Sequence, residues 1–101
     1  LSPELEPIVE KHLLGMTRKE FQRLIPKVLG TGKAVFQSPV WRLLEANQLL
    51  EIELGQQGER RLSGLLSLPS LETTFKFTNY STSEHAAFME RFWLVFRRGG
   101  G

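Results

Sequence analysis

The chain has 101 residues, 41% of them hydrophobic, and its 13 Lys and Arg against 11 acidic residues leave a formal charge of +2; this length and composition fit a single domain, 1–101, with a core of its own. There is no cysteine and every acidic residue is Glu, which excludes disulfides, thiolate zinc sites, a cysteine nucleophile and the Asp of a Ser/His triad. No apolar run reaches bilayer-spanning length and no charged n-region with an apolar h-region opens the chain, so the expectation is a cytoplasmic protein with no membrane, metal or cofactor.

Charge is uneven along the chain: Lys11 to Lys33 carries six cations against Glu20 alone, and Arg60 to Gly101 six against three Glu. The opening segment places Leu5, Ile8, Val9, Leu13 and Leu14 near one helical face, and the spacing predicts a short helix over about Pro7 to Leu14, closed by Gly15. MTRKEFQRLIP follows. Thr17 and Glu20 have capping-box spacing, Met16 and Phe21 occupy the positions of a hydrophobic staple, and Phe21, Leu24, Ile25, Val28 and Leu29 form an apolar stripe. Arg18, Lys19, Arg23 and Lys27 mostly fall elsewhere and read as a solvated face, and Pro26 should kink or end the helix before Gly30. GTGKA, Gly30 to Ala34, imitates the end of a phosphate-binding loop. However, Lys27 holds the position of the first motif glycine, no Ser or Thr follows Lys33, and the segment leaves a helix toward a strand, which makes it a helix C-cap.

From Ala34 to Thr78 the hydrophobic period changes to twofold, as in an antiparallel meander. Strands are expected over Ala34 to Gln37, Val40 to Glu45, Gln48 to Leu54, Arg60 to Leu68 and Leu71 to Thr78, with GQQG (Gly55 to Gly58) as a hairpin loop and Pro69-Ser70 as a break. Leu50, Ile52 and Leu54 share a face, as do Leu71, Thr73, Phe75 and Phe77, so one side of the sheet is covered and the other partly wet. STSE, Ser81 to Glu84, is a second capping box opening a helix that runs to Arg98. On its wheel His85, Phe88, Met89, Phe92, Trp93, Val95 and Phe96 fill one arc, and Glu84, Ala87, Glu90, Arg91, Arg97 and Arg98 the other side.

Acid or base chemistry would fall to His12 or His85, neither of which has a sequence neighbour at metal or triad spacing. Trp41, on a strand, and Trp93, at the rim of the helix arc, are the candidate anchors for a partner. Arg60 and Arg61 beside the hairpin loop, with Arg97 and Arg98 at the helix end, are a candidate basic patch for phosphates or nucleic acid. The sheet lacks the exposed aromatic pair of an RNA recognition motif. RRGGG imitates a ubiquitin-like tail, but such tails follow a β-grasp strand and this one follows a helix.

The ending FKFTNYSTSEHAAFMERFWLVFRRGGG, with Phe77, Tyr80, Ser81, Glu84, Phe88, Phe92, Phe96 and its tri-glycine terminus, resembles the C-terminal region of a group of short uncharacterised bacterial proteins. MTRKEFQRLIP is similar to their N-terminal helix. The resemblance spans most of the chain and implies no activity.

The expected architecture is an α+β two-layer sandwich: a helical region over 1–30 with two short helices, a four- to five-stranded antiparallel meander over 34–78, one long C-terminal helix over 81–98 packed on one sheet face, and a Gly tail at 99–101. The expected function is a small non-enzymatic binding or assembly module acting through protein contact or self-association. Binding of nucleic acid or phosphate is the alternative, and an enzyme using His85 or His12 the last reading.

Overall fold

The computed structural model describes residues 6–30 and 32–99, apart from the side chains of 98 and 99. Its elements in chain order are β1 (Ile8–Leu14), α1 (Arg18–Leu24), α2 (Pro26–Leu29), β2 (Val35–Gln37), β3 (Val40–Glu45), β4 (Gln48–Arg61), β5 (Ser67–Thr78) and α3 (Thr82–Gly99). The fold is α+β: a five-stranded antiparallel open sheet of order β1-β5-β4-β3-β2, with the helices packed on one face. β2 to β5 form the expected meander, and β1 closes its other side by pairing with β5 from Ile8↔Phe77 to Leu14↔Leu71.

β1 corrects the expected first helix. Its exposure alternates, with Ile8, Glu10 and His12 half-buried and Leu14 buried on the helix side, while Val9 and Leu13 lie on the open face at 53% and 58% exposure. The helical reading grouped Ile8, Val9 and Leu13, but β5 offers a row of backbone partners that an isolated helix would leave unpaired. The two short N-terminal helices are both drawn from the next segment. Thr17 Oγ1 accepts from Glu20 N at 3.1 Å and Glu20 Oε1 accepts from Thr17 N at 3.3 Å, which fixes the start of α1. Pro26, lacking a donor, opens α2 at its first position. Gly30 then ends α2 at φ +80°, a left-handed conformation that glycine tolerates best.

The second correction concerns GQQG. β4 runs straight through it, and Gly55 and Gln56 form a register shift between Leu54↔Thr73 and Gln57↔Leu71. Side chains pin this bulge: Glu72 Oε2 accepts from Gln56 N at 3.3 Å, and Arg18 donates to Gly55 O at 2.8 Å. A Cβ on Gly55 would stand 3.1 Å from the Glu72 Cβ, which explains a glycine there. The true turn lies at 62–66, where Leu66 O accepts from Leu62 N at 2.8 Å and Ser63 N at 3.1 Å. β5 likewise passes through Pro69-Ser70. Pro69 lies beyond Leu71, the last residue that β1 pairs, so one side of β5 is an edge there, the kind of strand position at which proline is found.

The core lies between helices and sheet. Phe21, Ile25, Ile52, Leu71, Phe75, Phe77 and Phe92 are fully buried, and Phe92 meets Phe96 at 4.1 Å and Phe75 at 4.9 Å between ring centroids. The second capping box is present: Glu84 Oε1 accepts from Ser81 N at 2.8 Å, which holds the Glu84 carboxyl below its ordinary range. The expected Gly tail at 99–101 lies outside the described residues, apart from the helical backbone of Gly99.

Candidate functional site

Pairing β1 with β5 gathers residues that the sequence kept apart. Glu10 and His12, two apart on β1, both point to the helix layer, where His85 in the first turns of α3 meets them. His12 Nε2 lies 2.7 Å from Glu10 Oε2. His85 Nε2, itself buried, stands 2.6 Å from Glu10 Oε1, an ion-pair distance in a direction that does not complete a hydrogen bond. Burial pushes the Glu10 carboxyl up, but its contacts to His12 and then His85 outweigh this and hold it below its ordinary value of 4.5. His12 also packs edge-on against Trp93 at 5.0 Å, and His85 against Phe77 at 4.7 Å. Each imidazole thus faces the same carboxylate and an aromatic ring. Among the described residues no three His, Cys, Asp or Glu are grouped as a metal ion requires, and here each imidazole takes a different oxygen of Glu10. The chemistry of the cluster is that of a polar tie between β1 and α3.

A second feature lies at the far end of the sheet. β3 pairs with β4 only as far as Glu53 and β1 with β5 only as far as Leu71. Beyond those points β4 and β5 continue, among the described residues, as a two-stranded arm, Gly58↔Ser70 to Arg61↔Ser67. The arm exposes Leu62, Leu65, Leu66 and Leu68 at 52%, 103%, 56% and 44%. Near its outer end Leu68, opposite Arg60 in the next-to-last pair, lines a hollow of about 390 Å³ with Leu14, Met16, Trp93, Phe96 and Arg97. A second hollow of about 350 Å³ is lined by Glu90, Trp93, Leu94 and Arg97. Leu94 is 55% exposed, and the Arg97 guanidinium lies 6.0 Å from the Trp93 ring centroid.

Of the expected anchors, Trp93 is half-buried and lines both hollows. Trp41 lies elsewhere: it packs on the helix side of β3 against Phe36 at 4.9 Å, with its ring nitrogen buried and unpaired. Arg60, paired in register with Leu68, and Arg61 sit on the arm behind its leucines, and Arg97 borders both hollows, so the three share one end of the molecule. The side chain of Arg98 lies outside the described residues. Sequence reasoning missed Glu10 and the leucines of the turn; an acidic residue two before a histidine on an alternating segment, and Leu-Leu beside Ser63-Gly64, were the available signals.

The open sheet face holds a shallow hollow of about 530 Å³ lined by Lys11 to Leu13, Glu53, Gly55 and Glu72 to Thr74. Beside it, cross-strand charges run Lys76↔Glu51↔Arg42, with Arg42 Nε 3.2 Å from Glu51 Oε2. Among the described residues no helix is long and apolar enough to cross a membrane. No family model matches the chain, and no curated protein or solved structure matches it.

Proposed function

We propose that the protein is a small non-enzymatic binding module that works by protein contact, with the arm and the hollows beside Trp93 as its contact surface. The observation that carries this reading is the arm itself, with four leucines at 44–103% exposure within seven residues on a ribbon that has no strand neighbour among the described residues. A two-stranded ribbon is marginal in water by itself, and burying each leucine against a partner would contribute about 1.5–3 kcal/mol. Arg60, Arg61 and Arg97 at the same end favour a partner with acidic groups around an apolar contact. They fit a phosphate backbone less well, because the surface between them is mainly leucine, with Trp93 its one aromatic. The Glu10 cluster serves stability in this reading, and the absence of cysteine suits a reducing, cytoplasmic setting. The likeness to short bacterial proteins adds no activity to it.

The test places a photoreactive amino acid at position 65 and, as a control, at the exposed Val9, in cells making the protein. Cross-links to polypeptide from 65 but not from 9 are expected. Equal capture at both positions, or none at 65, refutes the contact surface.

A further inference from the structure

We infer that Ser63, at the tip of the arm, is a phosphorylation site for a protein kinase that selects serine by arginines on its N-terminal side, and that the phosphate switches the arm's contact surface off. The site stands on sequence and accessibility; the switching rests on the protein-contact reading above.

In Arg60-Arg61-Leu62-Ser63 two guanidinium groups come three and two positions before a hydroxyl, and no other Ser or Thr of the chain has two cations among the three residues before it. An acidic substrate cleft reads such a pattern as paired charges ahead of the acceptor, and charge patterns are among the means by which kinases tell substrates apart. The tip is also accessible: every residue from Gln56 to Leu68 is exposed. Other serines are more committed, since Ser81 caps α3, Ser70 is half-buried and Ser67 is held in the last pair of the arm. Ser63 is lightly held. Its Oγ accepts from Leu65 N at a long 3.4 Å, and the turn closes through the bonds from Leu62 N and Ser63 N to Leu66 O. Drawing the segment out into a cleft gives up these bonds and the outermost pairs, Arg60↔Leu68 and Arg61↔Ser67. These belong to a two-stranded ribbon that is marginal by itself, so the tip opens at low cost.

In the transfer, Ser63 Oγ forms a bond to the γ-phosphorus of a magnesium-bound nucleoside triphosphate held by the kinase. The bond from that phosphorus to its bridging oxygen breaks, nucleoside diphosphate leaves, and the hydroxyl proton passes to a carboxylate of the kinase. The product carries about −1.5 to −2 charges near pH 7, which offsets the guanidinium charges of Arg60 and Arg61. It also sets a strongly hydrated group between Leu62 and Leu65, and any partner covering those leucines would have to desolvate it. Both effects oppose an acidic partner with an apolar contact.

The test incubates the purified chain with magnesium, ATP and an arginine-directed serine kinase, and locates phosphate by mass spectrometry. Ser63→Ala, Ser67→Ala and the double variant Arg60→Ala with Arg61→Ala are treated alike, with folding checked by thermal melting. Phosphate is expected on Ser63 of the wild type and of Ser67→Ala and absent from Ser63→Ala, with the rate for the double variant lowered roughly tenfold or more. The phosphorylated Ser63 peptide should also be found in protein recovered from the cells that naturally make it. No transfer to the folded chain, equal incorporation into Ser63→Ala, a rate indifferent to the arginines, or absence of the phosphopeptide from those cells overturns the site. The switch is read by polypeptide cross-linking from position 65, which Ser63→Glu should lower several-fold and Ser63→Ala should not. Cross-linking unchanged by Ser63→Glu refutes the switch and leaves the contact reading standing. Phosphate on Ser63 with no cross-linking from 65 in any variant refutes the contact reading and leaves the modification site standing.

Discussion

Replacing Glu10 by Gln tests whether the carboxylate between the two imidazoles contributes through its charge. The amide oxygen can still accept from one imidazole, so the change removes charge assistance from both contacts and little volume. A hydrogen bond to a charged group contributes about 1.5–3 kcal/mol, whereas exposed ion pairs give about 0.2–1 kcal/mol. Side-chain exposures of 29%, 30% and 18% for Glu10, His12 and His85 place this cluster between those limits. We expect a loss of about 1–2 kcal/mol at neutral pH, a drop in Tm of about 4–16 °C for a domain of this size. The pH dependence separates charge from packing. Because the folded-state pKa of Glu10 is depressed below its ordinary 4.5, the unfolded chain takes up its proton first as pH falls. The contribution is therefore fully present above pH 4.5 and disappears as pH drops through the lowered value. Thermal melts of wild type and Glu10→Gln from neutral to acid pH should show an offset that closes on the acid side. A constant offset across that range, or none at neutral pH, refutes the role given to the charge.

Two further substitutions test the packing and the helix start. Phe92→Ala, at a fully buried position against Phe96 and Phe75, should cost about 3–5 kcal/mol in urea unfolding, a large part of the about 5–15 kcal/mol typical of a domain; a loss under 1 kcal/mol would mean that the aromatic layer is loosely packed. Thr17→Ala removes the acceptor of the Glu20 N–H and should lower stability by about 0.5–2 kcal/mol, with Thr17→Ser close to wild type; equal melts for Ala and Ser would show that the cap contributes nothing.

Where one residue's neighbours along the chain decide its conformation, the sequence was sufficient. Thr17 with Glu20 and Ser81 with Glu84 announced the starts of α1 and α3 because each capping box closes within four residues. The seven-residue apolar arc of α3 named its buried side, and the twofold alternation from Leu50 to Leu54 and Leu71 to Phe77 named the covered face of the sheet, since both periods follow from backbone geometry alone.

Tertiary structure decided what depends on partners distant in the chain. Ile8–Leu14 became a strand because β5 supplied its hydrogen bonds, and its inward positions, Glu10 and His12, are polar, so the usual apolar alternation was hidden. The same pairing brought Glu10 to His85, 75 positions away in sequence, which no local spacing encodes. GQQG became a bulge rather than a turn because Glu72 and Arg18 hold its backbone from other elements. The arm exists because β1 and β3 stop short of the ends of β5 and β4. Strand lengths are set by which neighbours are present to pair, and that is a property of the assembled sheet rather than of any one segment.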